Sequence, residues 1–341
     1  MDLTATQSLV SVVVLNYNGA GYLPECLRSL QAQTYSDIEI IVADNASADD
    51  SRQVCGRFAA VTFVENGANF GFSVGNNLGA ARASGEYLFF VNNDMRFAPE
   101  LVSNLVDVAQ VTPDLFALDV KQYTWDGAQV AHAASGFCRP GWGGARFLPG
   151  VERIQFDADH VVAVPVANGA NLFCVAERFR ALEGFDPSFF LGWEDFDLCW
   201  RARLHGWEIL YVPQAYCWHK ISVSMRRESK LVPRFERVVR FSVERNRYRF
   251  VAKTMSAGRN LSVFGQFACG LARLLLRGRW ASAYLLLAAY GDAVGKLWEV
   301  QAYKKRYGSA EDGARSEDIL QQFWIQDEQL SHLKSEGRLV V

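Results

Sequence analysis

The chain of 341 residues lacks a long apolar run. The uncharged runs of its C-terminal third, Asn260–Ala272 and Trp280–Gly291, fall short of the roughly 18 to 20 residues that a spanning helix needs, so no spanning segment is expected. The seven cysteines include no C-x-x-C pair and no metal-finger spacing. An odd, unpatterned set excludes a disulfide framework and suits free thiols in a reducing, cytoplasmic compartment. Charge of one sign is also missing: the formal net charge is −2, which gives no reason to expect nucleic acid as a partner. The first residues, Met1–Asn16, carry neither a basic start nor a cleavage site, so their short apolar stretch reads as a first strand rather than a signal peptide. Internal repeats and low-complexity tracts are absent as well.

What the chain has is apolar residues, at 50%, and aromatics, at 13%. That is enough to bury a sizeable core in one large domain or two of ordinary size. "LVSVVVLN" (Leu9–Asn16) is uniformly apolar and β-branched, as a strand covered on both faces should be. Leu23–Gln33 has helical spacing, with Leu23, Leu27 and Leu30 on one face and Pro24 near its start. Ile38–Asn45 predicts a second buried strand, Ser47–Arg57 a helix, "VTFVEN" a short strand, "GFSVGNNLGAARAS" a helix and "YLFFVN" another strand. This rhythm predicts an α/β fold with a mostly parallel sheet between helices. Ligands in such sheets bind beyond the carboxyl ends of the strands, and those ends carry Asn16-Tyr17-Asn18, Asp44-Asn45 and Asn92-Asn93-Asp94.

From Thr112 to about Val166 the pattern weakens, and "GFCRPGWGGARFLPG" reads as a loop-rich insertion. A helix is expected near Glu177–Leu182, another over Asp195–Leu204, and a strand over Ile209–Val212 with His219 beyond it. After Lys220 the character changes. Between Arg226 and Arg259 eleven Lys and Arg stand against three Glu, a net of +8, followed by apolar helical pieces. The expected division is residues 1–225 as a catalytic domain and 226–341 as a helical extension. That extension would rest on an anionic membrane surface, or else pack on the catalytic domain or in a homodimer interface.

The residues that could carry chemistry each have a plainer reading beside the functional one. Asp94, at a strand end beside side-chain amides, could bind a hard divalent ion through oxygen; Asn and Asp are also ordinary turn residues. Asp44 could take a base or ribose, or the segment could simply cap a helix. Glu194 and Asp195 follow Trp193 at a helix start, where a carboxylate is stabilised by the dipole in any case. A carboxylate beside an aromatic wall is also suited to general-base work on a sugar hydroxyl. His219 is a lone histidine whose imidazole could ligate a metal. "GFSVGNNLG" lacks the glycine spacing of a dinucleotide loop.

In order, "SVVVLNYNGAGYLPECLRSLQAQTY", "IEIIVADNASADDS", "ENGANFGFSVGNNLGAARASGEYLFFVNND" and "GFDPSFFLGWEDFDLCWRARLHGWEILYVPQAYCWH" resemble the motifs of the family-2 inverting glycosyltransferases, which have the GT-A fold. "ERNRYRFVAK" is similar to the Arg-Asn-Arg segment of the rhamnosyltransferase-like branch. The resemblance implies that Asp44 binds the nucleoside and that Asp94, the last position of the DXD motif, holds Mg²⁺ or Mn²⁺ on the diphosphate. It implies that His219 completes the metal site and that Asp195, beside Glu194, is the catalytic base. It sets the nucleotide sugar against Asn16, Asn18, Asn69, Asn76 and Asn93, and the acceptor against Trp193 and Gly169. Asn92 stands where the motif's name asks for Asp, which removes one charge from the metal site. The implied donor is a nucleotide sugar, dTDP-rhamnose by the branch resemblance, and the acceptor a glycan or lipid-linked glycan of cell-envelope polysaccharide. The rival readings are a nucleotidyltransferase, for which "NYNGAGYLP" is poor in the glycine and basic residues a triphosphate loop wants, and a non-catalytic carbohydrate-binding module.

Overall fold

The computed structural model describes residues 8–220, 232–301 and 312–340. Strands β1 (Val10–Asn16), β2 (Ile38–Asp44), β3 (Val61–Glu65) and β4 (Tyr87–Asn92) alternate with helices α1 (Leu23–Gln31), α2 (Ser51–Cys55) and α3 (Gly71–Ala80). The four strands pair in parallel, β1 with β2 and β4, and β2 with β3. Val10, Val12, Val13 and Val14 are fully buried because helices cover both faces of β1. Registers Asn16↔Asp44 and Leu15↔Asn92 bring the carboxyl ends of β1, β2 and β4 to one edge.

Beyond β4 the sheet becomes mixed. β12 (Asn171–Val175) runs antiparallel to β4 and to β6 (Leu115–Thr124), and β13 (Glu208–His219) runs parallel to β6. Eight strands of the ten-stranded sheet follow the order β11-β13-β6-β12-β4-β1-β2-β3, where β11 is Val162–Ala163, and two lie off this path, β5 (Met95–Phe97) beside β13 and β7 (Val130–His132) beside β6. β13 extends past the expected Ile209–Val212, so His219 is its last residue and lies opposite Met95 of β5 (Met95–Phe97). The strand continues through Pro213 after an irregularity in its register between Val212 and Tyr216.

The segment expected to be loop-rich folds instead into β8 (Ala134–Cys138), β9 (Ala145–Leu148) and β10 (Val151–Phe156), a second antiparallel sheet that also takes β14 (Leu339–Val340). Its cover is remote in sequence: Phe137 N–H donates to Phe323 O at 2.8 Å, and Ile325 N–H donates to Phe137 O at 2.7 Å. A Cβ at Gly136 would come within 2.6 Å of Ile325, so glycine is what lets this segment close over the strand.

The C-terminal helices α7 (Val232–Thr254), α8 (Ala257–Leu276) and α9 (Trp280–Gly295) share a core with Phe137, Phe147, Phe189 and Trp200. Phe250 of α7 is fully buried, with ring centres 5.9 Å from Phe147, 5.4 Å from Trp193 and 5.5 Å from Trp200. Four described members of the basic run that suggested a lipid surface are paired inside this packing. Arg245 donates to Ser188 O, Arg249 pairs with Glu299, Lys253 with Asp186 and Asp197, and Arg259 with Glu317. Arg226, Arg227 and Lys230, together with the 225/226 division, lie outside the described residues. No helix among the described residues is long and apolar enough to cross a membrane.

Truncating a ring that touches three others leaves a cavity as well as lost burial. Phe250→Ala is expected to cost about 3–5 kcal/mol, read as a lower denaturation midpoint with an unchanged slope in guanidinium.

Candidate functional site

The open edge is organised by a buried amide. Asn16 Nδ2 donates to Asp44 Oδ1 at 2.6 Å and to Ser47 Oγ at 3.2 Å, while Asn16 Oδ1 accepts from Asn93 Nδ2 at 2.6 Å. Asp44 is nearly closed off, and its other oxygen accepts from Ser47 N–H at 2.8 Å. Asn18 is exposed, with φ +50°, and exchanges bonds with the facing loop: its N–H donates to Ser47 Oγ and its Oδ1 accepts from Ala48 N–H, both at 2.8 Å. A Cβ at Gly19 would sit 2.0 Å from Asn93 Nδ2, so the glycine is what permits this closeness. Asn69 is exposed at the rim and accepts from Gly71 N–H at 3.1 Å. Asn76 does not reach the rim. It is buried within α3, donating to Phe72 O at 3.1 Å, and its Oδ1 has no partner.

Asp94 and His219, far apart in sequence, are brought together: His219 Nε2 lies 3.2 Å from Asp94 Oδ1. Gln122 Nε2 donates to Asn171 Oδ1 at 3.1 Å, which turns Gln122 Oε1 toward His219 Nδ1 at 3.0 Å. That oxygen can only accept, so Nδ1 carries the hydrogen and Nε2 faces the carboxylate. A lone pair opposite a carboxylate at this distance calls for a positive charge between them, either a proton or a bound cation. A hard divalent ion fits this oxygen and imidazole pair. Among the described residues no group of three or more His, Cys, Asp and Glu gathers in metal-binding range, so further ligands would be phosphate and water. Lys220, next in the chain, lies with its ammonium 4.4 Å from the Trp125 ring, and its N–H donates to Asp94 O at 3.1 Å.

The second acidic centre lies across a short loop. Asn92 N–H donates to Ala170 O at 2.9 Å, and the neighbouring Gly169 N–H donates to Asp195 Oδ2 at 3.2 Å. Gly169 is itself buried and touches Asp195, so it positions that carboxylate from behind. Asp195 Oδ1 also accepts from Phe196 N–H at 2.9 Å. Asp195 keeps part of its surface open, whereas Glu194 is 5% exposed and its Oε2 has no partner. Burial, then the Asp195 charge, pushes Glu194 up to about 8. Burial raises Asp195 also, but the Arg153 charge and the N–H donors oppose it. Burial and the Asp195 charge both favour the neutral form of Glu194, whereas Arg153 and the N–H donors favour the charged form of Asp195.

Trp193 is not a free wall. Its ring is stacked on Phe147 at 5.6 Å and packs against Phe196 at 4.9 Å, with part of the ring still open. It takes φ +72°, an unfavoured conformation for a side-chain-bearing residue, directly after Gly192 at φ +84°. Asn246 holds this bend from α7: its Nδ2 donates to Leu191 O at 3.1 Å and to Gly192 O at 2.7 Å. "ERNRYRFVAK" thus works as a brace for the loop that carries Glu194 and Asp195.

Sequence reasoning missed Gln122, Asn171, Arg153 and Lys220. Arg153, from β10, lies 5.3 Å from the Phe196 ring with its Nε buried and unpartnered. None of these has a local signal except Lys220, which follows His219 directly.

Residues 11–164 match the family described as Glycosyl transferase family 2. An uncharacterized glycosyltransferase, alr2836, of Nostoc sp. is 30% identical over 196 residues, 49% of this chain and 59% of that protein. The chain thus spans less than two thirds of that relative's length. Rhamnosyltransferase WbbL of Escherichia coli is 24% identical over 223 residues, 62% of this chain and 83% of its own. The solved structure of a mannosyltransferase of Pyrobaculum calidifontis, in complex with GDP-Man and Mn²⁺, has a TM-score of 0.53 at 17% identity, over 98% of this chain and 87% of its own. The architecture is similar to that of GT-A glycosyltransferases, a likeness of fold alone.

The proton on Glu194 has a consequence for stability. Its folded pKa, about 8, exceeds that of an unfolded carboxyl. Its contribution is therefore fully present below the ordinary carboxyl value and is lost as pH rises to about 8. Glu194→Gln cannot ionise, so denaturation midpoints measured across that window should fall less steeply with pH than in the parent. Equal slopes would put the proton on another group.

Proposed function

We propose that the chain, whose residues 11–164 match the family described as Glycosyl transferase family 2, is an inverting, divalent-metal-dependent glycosyltransferase. It would move a sugar from a nucleotide diphosphate donor to a hydroxyl of a glycan or lipid-linked acceptor in cell-envelope polysaccharide synthesis, in the cytoplasm. The observation that carries this reading is the pairing of Asp94 with His219 on one side of the Asn168–Ala170 loop and of Asp195 with Gly169 on the other. dTDP-rhamnose is the donor to test first. The name of the Escherichia coli relative and the "ERNRYRFVAK" segment support it.

Asp94 and His219 would hold Mg²⁺ or Mn²⁺, which when bound neutralises charge on the departing diphosphate. Asp44, Asn16 and Asn93 keep the strand ends together where the nucleotide sugar would lie, with Asn18 and Asn69 at the open rim. Asp195 accepts the proton of the acceptor hydroxyl. The hydroxyl oxygen then bonds to the anomeric carbon as the bond to the diphosphate oxygen breaks on the opposite face, which inverts the centre. Protonated Glu194 adds no second negative charge beside the base. Trp193, where its ring remains open, gives the acceptor sugar an apolar face.

Calorimetric titration tests the metal and donor half. Mn²⁺ should strengthen nucleoside diphosphate binding in the parent and leave Asp94→Ala unaffected, with both proteins melting alike. Equal enhancement in both would remove Asp94 from the metal site. For the base, Asp195→Asn should retain donor affinity and lose roughly 10²–10⁴ in transfer rate. Normal turnover would reduce Asp195 to a helix-start residue. Product analysis on a panel of UDP-, dTDP- and GDP-sugars separates transfer from nucleotide-sugar synthesis and from simple carbohydrate binding.

A further inference from the structure

The exposed apolar surface of this protein is concentrated in one place. Of the sixteen large hydrophobic residues exposed among the described residues, ten lie between Leu261 and Trp298. They are not core residues left over at a helix edge. On α9, Trp280, Tyr284, Leu287 and Val294 recur at helical spacing along one outward stripe, while Ala289 and Ala293 face inward. α9 is thus apolar on both sides, as a helix with a second apolar neighbour should be. The α8–α9 turn continues the stripe: every residue from Leu275 to Trp280 is exposed, Leu276 at 88% and Trp280 at 69%.

The same turn carries Arg273, Arg277 and Arg279, all exposed and unpaired among the described residues. No Asp or Glu occurs between Asn260 and Gly291. This differs from Arg245, Arg249 and Lys253 of α7, which are spent on internal carboxylates and a carbonyl. A second copy of this chain is a poor cover for the turn. A two-fold contact would set the same arginines against each other without a carboxylate to separate them. An anionic lipid surface offers both missing partners, phosphates for the guanidinium groups and acyl chains for Leu276 and Trp280. Neither helix of the hairpin is both long and apolar enough to cross a bilayer, so the bilayer interface is where it would lie.

We propose that the α8–α9 hairpin docks on an anionic bilayer, with Leu276, Trp280 and Tyr284 entering the headgroup layer and Arg273, Arg277 and Arg279 binding lipid phosphate. This goes beyond the transfer activity and stands or falls without it, since neither donor nor acceptor is needed to observe it. The test is co-sedimentation of the full chain with phosphatidylcholine vesicles, with and without about one third phosphatidylglycerol. Binding should be at least roughly tenfold tighter to the anionic vesicles and weaken as salt is raised. Leu276→Glu with Trp280→Glu should abolish it, and Arg273, Arg277 and Arg279 changed together to Gln should remove the preference for phosphatidylglycerol. These positions are exposed, so unchanged circular dichroism and melting are expected in the variants. Failure of the parent to sediment with anionic vesicles overturns the proposal. So does binding unchanged in the variants, or a dimer seen by light scattering that Trp280→Glu dissolves.

Discussion

One buried side chain, the amide of Asn16, ties together three strand ends that would otherwise repel or splay. It donates to Asp44 at the end of β2 and accepts from Asn93 just past β4, both at 2.6 Å. An amide can do both at once, giving a hydrogen to a carboxylate and taking one from another amide. Asp would face Asp44 charge to charge, and an apolar residue would leave both partners unpaired in a closed site, at a cost of about 1–3 kcal/mol for each buried group. The open rim, the loop carrying Ser47 and the placement of Asp94 all follow from this joint. Gly19 belongs to the same constraint, because no side chain fits where its Cβ would be.

The two acidic centres are built on different principles. At Asp94, the partners extend outward through His219, Gln122 and Asn171, a chain of hydrogen bonds whose donors and acceptors are fixed by the innermost amide. At Asp195 the carboxylate is held by main-chain N–H groups, and its neighbour Glu194 is neutralised by burial. The bend that presents them is strained at Trp193 and is held from α7 by Asn246 and by Lys253, which bonds Asp186 and Asp197. Asp186 is half-buried, which would raise its carboxyl, yet the Lys253 charge and the Ser188 donors hold it down to about 2. The C-terminal helices are therefore part of the support for the turn that carries Glu194 and Asp195.

The parallel half of the sheet was legible because strands covered on both faces are uniformly apolar and end abruptly in polar residues, as in "LVSVVVLN" and "YLFFVN". The polar ends pointed to the ligand edge. The region after Thr112 was not legible, because the residues that close over Phe137 are Phe323 to Ile325, near the other end of the chain. Gly136 and Gly144 there mark close packing, whereas Gly141 and Gly150 sit in open turns. The partners of the basic run were illegible for the same reason: a charge count sees Arg249 and Lys253 as free, whereas their carboxylates come from Glu299, Asp186 and Asp197. Asn76 shows the reverse limit, since a polar residue inside a matching motif can be turned wholly into a helix.

The account rests most heavily on a cation and a diphosphate meeting at the strand edge between Asp94 and His219. Anomalous diffraction from crystals grown with Mn²⁺ and a nucleoside diphosphate measures this directly. The expected result is a single manganese peak bonded to Asp94 Oδ1 and His219 Nε2, with the diphosphate as a further ligand and the nucleoside lying toward Asp44. A diphosphate bound at that edge with no manganese at Asp94, or manganese bound elsewhere in the chain, would contradict it.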